Sequence, residues 1–243
     1  MGFFLCIIRI IMRTHIIFLM IKAIIFDLDN TLIDFMKMKR LSCEAAMDAM
    51  ISAGLRISKK RGLKILFQLY YKYGLEYQKI FQVFLKKVIG RVDYKIMASG
   101  IVAYRRVKEH LLYPYPNALP VLNKLKKKYK LVILSDAPRI QAWIRLVAMG
   151  LYDKFDYVIT FDDTKVRKPN HKPFLFALKK LKLKPNECVM IGDSLLRDIS
   201  PAKKLGFKTV FAKYGYLGKR FSGKSKIKAD YIIRDAKELL KIS

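Results

Sequence analysis

From Ile21 onward the hydrophobic positions change period twice, and the three regimes predict the elements of the chain. Residues 21–26 form a mostly apolar run, long enough for one buried strand and too short for a membrane span. From residue 34 to about 113 the period becomes helical. Met36, Ala45, Ala46, Ala49 and Met50 recur at helical spacing, and Gly54 closes that stretch. Ile65, Leu66, Leu69 and Tyr70 repeat the pattern, as do Ile80, Phe81, Phe84, Leu85 and Val88. Tyr113-Pro114-Tyr115-Pro116 ends the region, because two prolines in three residues stiffen the chain.

Beyond those prolines short apolar runs alternate with amphipathic stretches. The pattern predicts helices at 119–130, 140–149, 173–183, 201–205 and 236–242, with Gly150 and Gly206 as stops. It predicts strands at 131–134, 157–160, 188–191, 208–212 and 231–233. The glycine-, serine- and lysine-rich stretch at 215–228 reads as an exposed loop. Strands alternating with helices give an α/β class: a Rossmann-like parallel sheet covered on both faces. Ligands of such sheets bind beyond the carboxyl ends of the strands. Residues 20–34 and 114–243 then form the core domain, and residues 35–113 an inserted all-α domain.

Residues 1–19 are apolar but broken by Arg9, Arg13 and His15, so no run approaches the ~20 residues of a spanning helix. A basic leading segment and a small-residue cleavage site are both missing, which is a poor fit to a secretory signal. The expectation is that Met20 is the true start and that 1–19 is a dispensable extension.

Composition changes this picture little. A chain of 243 residues with 53% hydrophobic content can bury a substantial core. Cys6, Cys43 and Cys188 are odd in number and scattered, against a disulfide framework or zinc site and in keeping with a reducing cytoplasm. The net charge of +30 raises the question of a polyanionic partner. The lysines are spread along the whole chain, with no block of interleaved aromatics, so the expectation is a solvated surface with no specific nucleic-acid site and no membrane partner. A positive field nonetheless favours small phosphorylated molecules over cations.

The candidate chemistry sits where predicted strands end. Asp27 and Asp29 follow the first strand. Ser135 and Asp136 follow the second, and Lys168 stands in Arg167-Lys168-Pro169 before a helix. Gly192-Asp193-Ser194 follows a later strand, with Asp198 five positions after Asp193. Carboxylates gathered at the end of a buried strand need compensation, because an unpaired buried charge is costly. A divalent cation is the usual compensator.

The order and spacing of these groups, Asp-x-Asp-x-Thr first and Gly-Asp-Ser-x-x-x-Asp last, resemble the four motifs of the haloacid dehalogenase (HAD) superfamily. The resemblance runs from Ile21 to the C-terminus, and the helical insert falls where that superfamily carries its C1 cap. It implies Asp27 as nucleophile, forming an aspartyl-phosphate, and Asp29 as the acid and base. It implies Mg2+ held by Asp27, the Asp29 backbone carbonyl and Asp193, with Asp198 a further ligand or an orienting group. Ser135 and Lys168 would hold the phosphoryl oxygens. Thr31 would support the loop. Two positions depart from the usual pattern: Asp136 stands where relatives often have Asn, and His171 where many have a second proline.

The function implied is Mg2+-dependent hydrolysis of a small phosphate monoester. A phosphotransferase or mutase, or a haloacid dehalogenase, are the rivals on the same fold. A basic nucleic-acid-binding protein is the rival of another class. Asp29 speaks against dehalogenation, because halide leaves as a stable anion and needs no proton donor.

Overall fold

The computed structural model describes residues 21–218 and 228–242. The expectations for residues 1–19 and for much of the 215–228 loop lie outside them. One sheet holds β1 (Ala23–Phe26), β2 (Lys130–Leu134), β3 (Tyr157–Ile159), β4 (Cys188–Gly192), β5 (Lys208–Ala212) and β6 (Tyr231–Ile233). The order is β3-β2-β1-β4-β5-β6 and every pairing is parallel. All four residues of β1 are buried, as befits a central strand covered on both faces. The chain builds outward through β2 and β3, then crosses to β4. The strand order therefore reverses between β1 and β4, the place where open α/β sheets bind ligands.

Register decides what meets at that place. Phe26 lies level with Ile133 of β2 and with Ile191 of β4. Asp27, Ser135 and Asp193 follow those three positions by one or two residues, so all three leave the sheet at the same edge. The core beneath them obeys the period of two. Ala23 and Ile25, Val132 and Leu134, and Cys188 and Met190 share one cluster. Phe174, Ala177 and Leu178 of the helix Lys172–Leu181 close over it at helical spacing. Phe174 meets Phe207 edge-on, ring centroids 6.1 Å apart.

The chain divides into two compact units, one from the segments before Phe35 and after Tyr113, the other Phe35–Tyr113. The second unit consists of the helices Phe35–Ser52, Lys59–Tyr73, Ile80–Ile89 and Tyr94–His110. Ser58 and Asp93 cap two of them, accepting from the Arg61 N–H at 3.4 Å and the Ile96 N–H at 3.0 Å. Met47, Met50, Leu66, Phe84 and Leu85 are fully buried in its own core.

Most expected ends shift by one or two residues, and four differences go further or change the picture. The helix expected to reach residue 130 is Ala118–Leu125, because Lys130 already pairs with Ala23 as the first residue of β2. Thr160 is not a strand residue but the cap of the short helix Phe161–Thr164, bonded to Asp163. The last helix opens as a 3₁₀ turn, Ala236–Glu238, before Leu239–Ile242. Gly215, placed in an exposed loop by its composition, is buried. A Cβ there would lie 1.6 Å from the Asn30 carbonyl oxygen, so the segment is pressed onto the loop after β1 and admits no side chain.

Candidate active site

Local backbone devices deliver the polar groups to the sheet edge. The Asp27 N–H donates to the Ile191 carbonyl at 2.9 Å, and the Ser135 N–H to the Ile159 carbonyl at 2.9 Å, extending both ladders past the strands. The turn after Asp29 needs a left-handed residue, and Asn30, at φ 63°, is a type that tolerates it. Tyr214 braces this turn, its hydroxyl donating to the Thr31 carbonyl at 2.9 Å. Beyond β4 the chain makes one wide π-type turn, Leu195–Ile199, with Ser194 as its cap. That turn brings Asp198 back against Gly192, where a Cβ would sit 2.5 Å from the Asp198 carboxylate. Asp198 is thus a member of the cluster and not the cap of the following helix.

Asp27, Asp193, Asp198 and Lys168 come together, each no more than 5% exposed. Lys168 Nζ donates to Asp27 Oδ1 and to Asp198 Oδ1, both at 2.6 Å. Asp198 Oδ2 accepts from the Ser194 N–H at 3.0 Å, and Thr31 Oγ1 donates to Asp27 Oδ2 at 3.3 Å. Ser135 is buried at the end of β2, its hydroxyl accepting from the Ala137 N–H at 3.1 Å. Asp29 is on the same loop as Asp27, but its carboxylate faces Arg145 at 3.3 Å. Burial pushes the Asp27 carboxyl up to about 7, with Lys168 opposing and Asp198 reinforcing the shift. Burial and the charges of Asp27 and Asp198 push Asp193 up to about 9. Burial alone would lower the Lys168 ammonium; Asp198 and Asp27 outweigh it and hold it above the ordinary lysine range.

Residues 21–206 match the haloacid dehalogenase-like hydrolases. The chain belongs to that family. It is 37% identical to the glyceraldehyde 3-phosphate phosphatase of Methanocaldococcus jannaschii over 92% of this chain and 97% of that protein. It is 34% identical to the protein of the same name from Pyrococcus furiosus, over 91% and 92%. A HAD phosphatase from Thermococcus onnurineus has a similar structure, with a TM-score of 0.65 and 31% identity over 91% of this chain and 97% of that one. This HAD enzyme is itself a phosphatase, a hydrolase of phosphate monoesters.

The donor set of this HAD site suits a hard divalent cation. One oxygen each from Asp27, Asp193 and Asp198 lie within 4.8 Å of one another. Both carboxylate oxygens of Asp193 are buried and accept no hydrogen bond among the described residues. Natural proteins rarely leave two such acceptors unmatched, and an oxygen-seeking cation would match them. Charge agrees: fully ionised, Asp27, Asp29, Asp136, Asp193 and Asp198 would carry five negative charges against the three positive ones of Lys168, Arg145 and Arg197, so a divalent cation is what lets all of them ionise together.

Two residues of the site escaped the sequence reading. Arg197, inside the last motif, lies with its Nη1 3.6 Å from Asp136 Oδ2. Asp136 Oδ1 accepts from the Lys168 N–H at 2.9 Å. The carboxylate that departs from the usual pattern is therefore paired, and it positions the lysine backbone. Arg145 is the other. Its only signal was position, since it falls in register with Ala142, Leu146 and Met149, which are buried.

Proposed function

We propose that Asp27 is the nucleophile of a Mg2+-dependent phosphatase whose substrate is a small phosphorylated aldehyde such as glyceraldehyde 3-phosphate. The reading is carried by the convergence of three buried carboxylates and Lys168 on one point past the end of β1. The names of the M. jannaschii and P. furiosus relatives support the substrate. Mg2+ would be held by Asp27, Asp193 and the Asp29 backbone carbonyl, with Asp198 as a further ligand or orienting group. When bound, it neutralises charge so that an anionic ester can approach a carboxylate.

The chain's own groups do the rest. Asp27 attacks phosphorus and the bond to the ester oxygen breaks, leaving an aspartyl-phosphate. Asp29 donates its proton to the departing alkoxide, a poor leaving group without one. Water then attacks the aspartyl-phosphate, Asp29 takes the water proton, and inorganic phosphate leaves with Asp27 restored. Lys168 and Ser135 hold the phosphoryl oxygens, and Thr31, donating to Asp27 Oδ2, limits the nucleophile's rotation. The unit Phe35–Tyr113 serves as the substrate-selecting cap, a reading supported by its all-helical build and its insertion between Asp34 and Pro114. The enzyme works in the cytoplasm without a membrane or specific nucleic-acid partner. The free, buried thiols of Cys43 and Cys188 support the reducing compartment.

Asp27→Asn tests the core of the proposal. It should fold and yet lose Mg2+-dependent hydrolysis of both p-nitrophenyl phosphate and glyceraldehyde 3-phosphate. Normal turnover by the folded variant would remove the nucleophile. In the parent enzyme glyceraldehyde 3-phosphate should give the highest kcat/KM among triose, hexose and nucleoside monophosphates, and a clear preference for another class would overturn the substrate.

A further inference from the structure

The helix Arg139–Ala148 is built inside out. The stripe Ile140, Trp143, Ile144 and Val147 is apolar and 38–64% exposed. The stripe that faces the core is Ala142, Arg145 and Leu146, continued by Met149, and its arginine is 1% exposed. Packing alone would favour the opposite rotation of this helix, since burying the four large apolar residues is favourable and burying a guanidinium is not. The sequence therefore places a cation inside at a cost. That charge is directed at one member of the site: Arg145 Nη1 donates to Asp29 Oδ2 at 3.3 Å, across 116 positions of sequence.

The start of the helix is also tied to the segment after β3. The Arg139 N–H donates to Asp162 Oδ2 at 2.6 Å, and the Arg139 guanidinium to Asp163 Oδ1 at 2.8 Å. Just before it, Ser135 Oγ accepts from the Ala137 N–H at 3.1 Å. One short segment thus fixes both Ser135 and the guanidinium that meets Asp29.

We propose that Arg145 is a positioning residue for the proton-transfer step: it locks the Asp29 side chain in the orientation from which the carboxyl serves the leaving oxygen. This rests on the reading of Asp29 as acid and base given above. A planar guanidinium suits the task better than an ammonium, because its donors lie in a fixed fork and define the direction of the carboxylate. Misplacing a catalytic group by about 1 Å can cost on the order of 10²-fold.

The test compares kcat/KM for glyceraldehyde 3-phosphate, whose alkoxide needs a proton, with that for p-nitrophenyl phosphate, whose phenolate leaves without one. This constant reports on the steps up to aspartyl-phosphate formation, so slow dephosphorylation does not obscure it. Arg145→Met should lower it about 10- to 100-fold for the triose phosphate and much less for the aryl ester. Arg145→Lys should recover part of the loss. Leu146→Ala, which removes packing on the same stripe, should lower the melting temperature but keep the ratio between esters. On an Asp29→Asn background, Arg145→Met should add less than about 2-fold, because the group to be positioned is gone.

Equal losses on both esters in a folded Arg145→Met protein, or a full multiplication on the Asp29→Asn background, would overturn the inference. Should Arg145→Met not fold, Arg145→Lys decides: a loss confined to the triose phosphate supports the inference and an unselective loss refutes it. If Asp29→Asn itself loses both esters equally, the acid–base reading of Asp29 falls and takes the inference with it. A selective Asp29→Asn beside an unselective Arg145→Met sinks the inference alone.

Discussion

Asp193 has two carboxylate oxygens that accept no hydrogen bond among the described residues, in surroundings 1% open to solvent. Without a cation, this residue and Asp27 are a liability above acid pH. Their carboxyls are raised to about 9 and about 7, whereas an unfolded chain ionises them near 4. The unfolded state therefore releases protons first, and stability is lost as pH rises from about 4 through those values. A bound divalent cation reverses the penalty by favouring the charged forms. We expect Mg2+ to raise the melting temperature at about pH 8 far more than at about pH 5. Asp193→Asn should abolish that increment and, without Mg2+, melt higher than the parent at about pH 8. Equal increments at both pH values, or an undiminished one in Asp193→Asn, would rule out a metal site there. Among these residues sequence spacing revealed the acids, whose motif is local. It missed the partners Arg145 and Arg197, because a cation's role depends on which carboxylate the fold sets beside it.

At the scale of elements, sequence located the strands to within one or two residues and erred further where a side chain or a turn, and not periodicity, sets the boundary. Asp163 claims Thr160 for a cap, and the π-type turn at Leu195–Ile199 leaves no hydrophobic signature. Gly215 is read as loop by composition but buried by contact with Asn30. The outer strands show the same dependence on single residues. Asp230, just before β6, accepts from the Thr209 N–H at 2.9 Å, Thr209 Oγ1 at 2.7 Å and Lys203 Nζ at 3.0 Å. It thereby ties β6 and the helix Ser200–Lys204 to β5. Burial alone would raise its carboxyl, but the Thr209 and Lys203 contacts outweigh that and hold it below the usual range. The sign is opposite to that of Asp193: the stabilisation is present above about pH 4 and fades as pH falls through the lowered value. Asp230→Ala should cost about 1–3 kcal/mol at neutral pH by urea unfolding, and the cost should shrink near pH 3. A pH-independent difference would mean that the ionised carboxylate is not what matters.

For the whole molecule, the class of fold was legible because one parallel sheet repeats a single signal, a short apolar strand followed by a helix. The strand order was not, since nothing in a strand's own sequence says which neighbour it takes; β1 pairs with β2 and with β4, whose level residues Ala23 and Cys188 are 165 positions apart. Charge is the other property of this scale. With +30 formal charges the enzyme attracts any polyanion, and the same field draws in a phosphorylated substrate. The two effects separate by salt. Attraction to nucleic acid by spread lysines is counterion release, and a contact of 6–10 phosphates should lose roughly 10³–10⁵ in affinity between about 50 and 200 mM salt. Capture of a small dianion involves few charges, so kcat/KM should fall only modestly over that range while kcat stays level. We expect gel-shift binding of DNA or RNA to vanish by about 200 mM salt with no dependence on base sequence. Tight binding that persists there, or that discriminates between sequences, would require base or stacking contacts that the dispersed lysines do not provide, and the enzyme would then have a second, macromolecular partner.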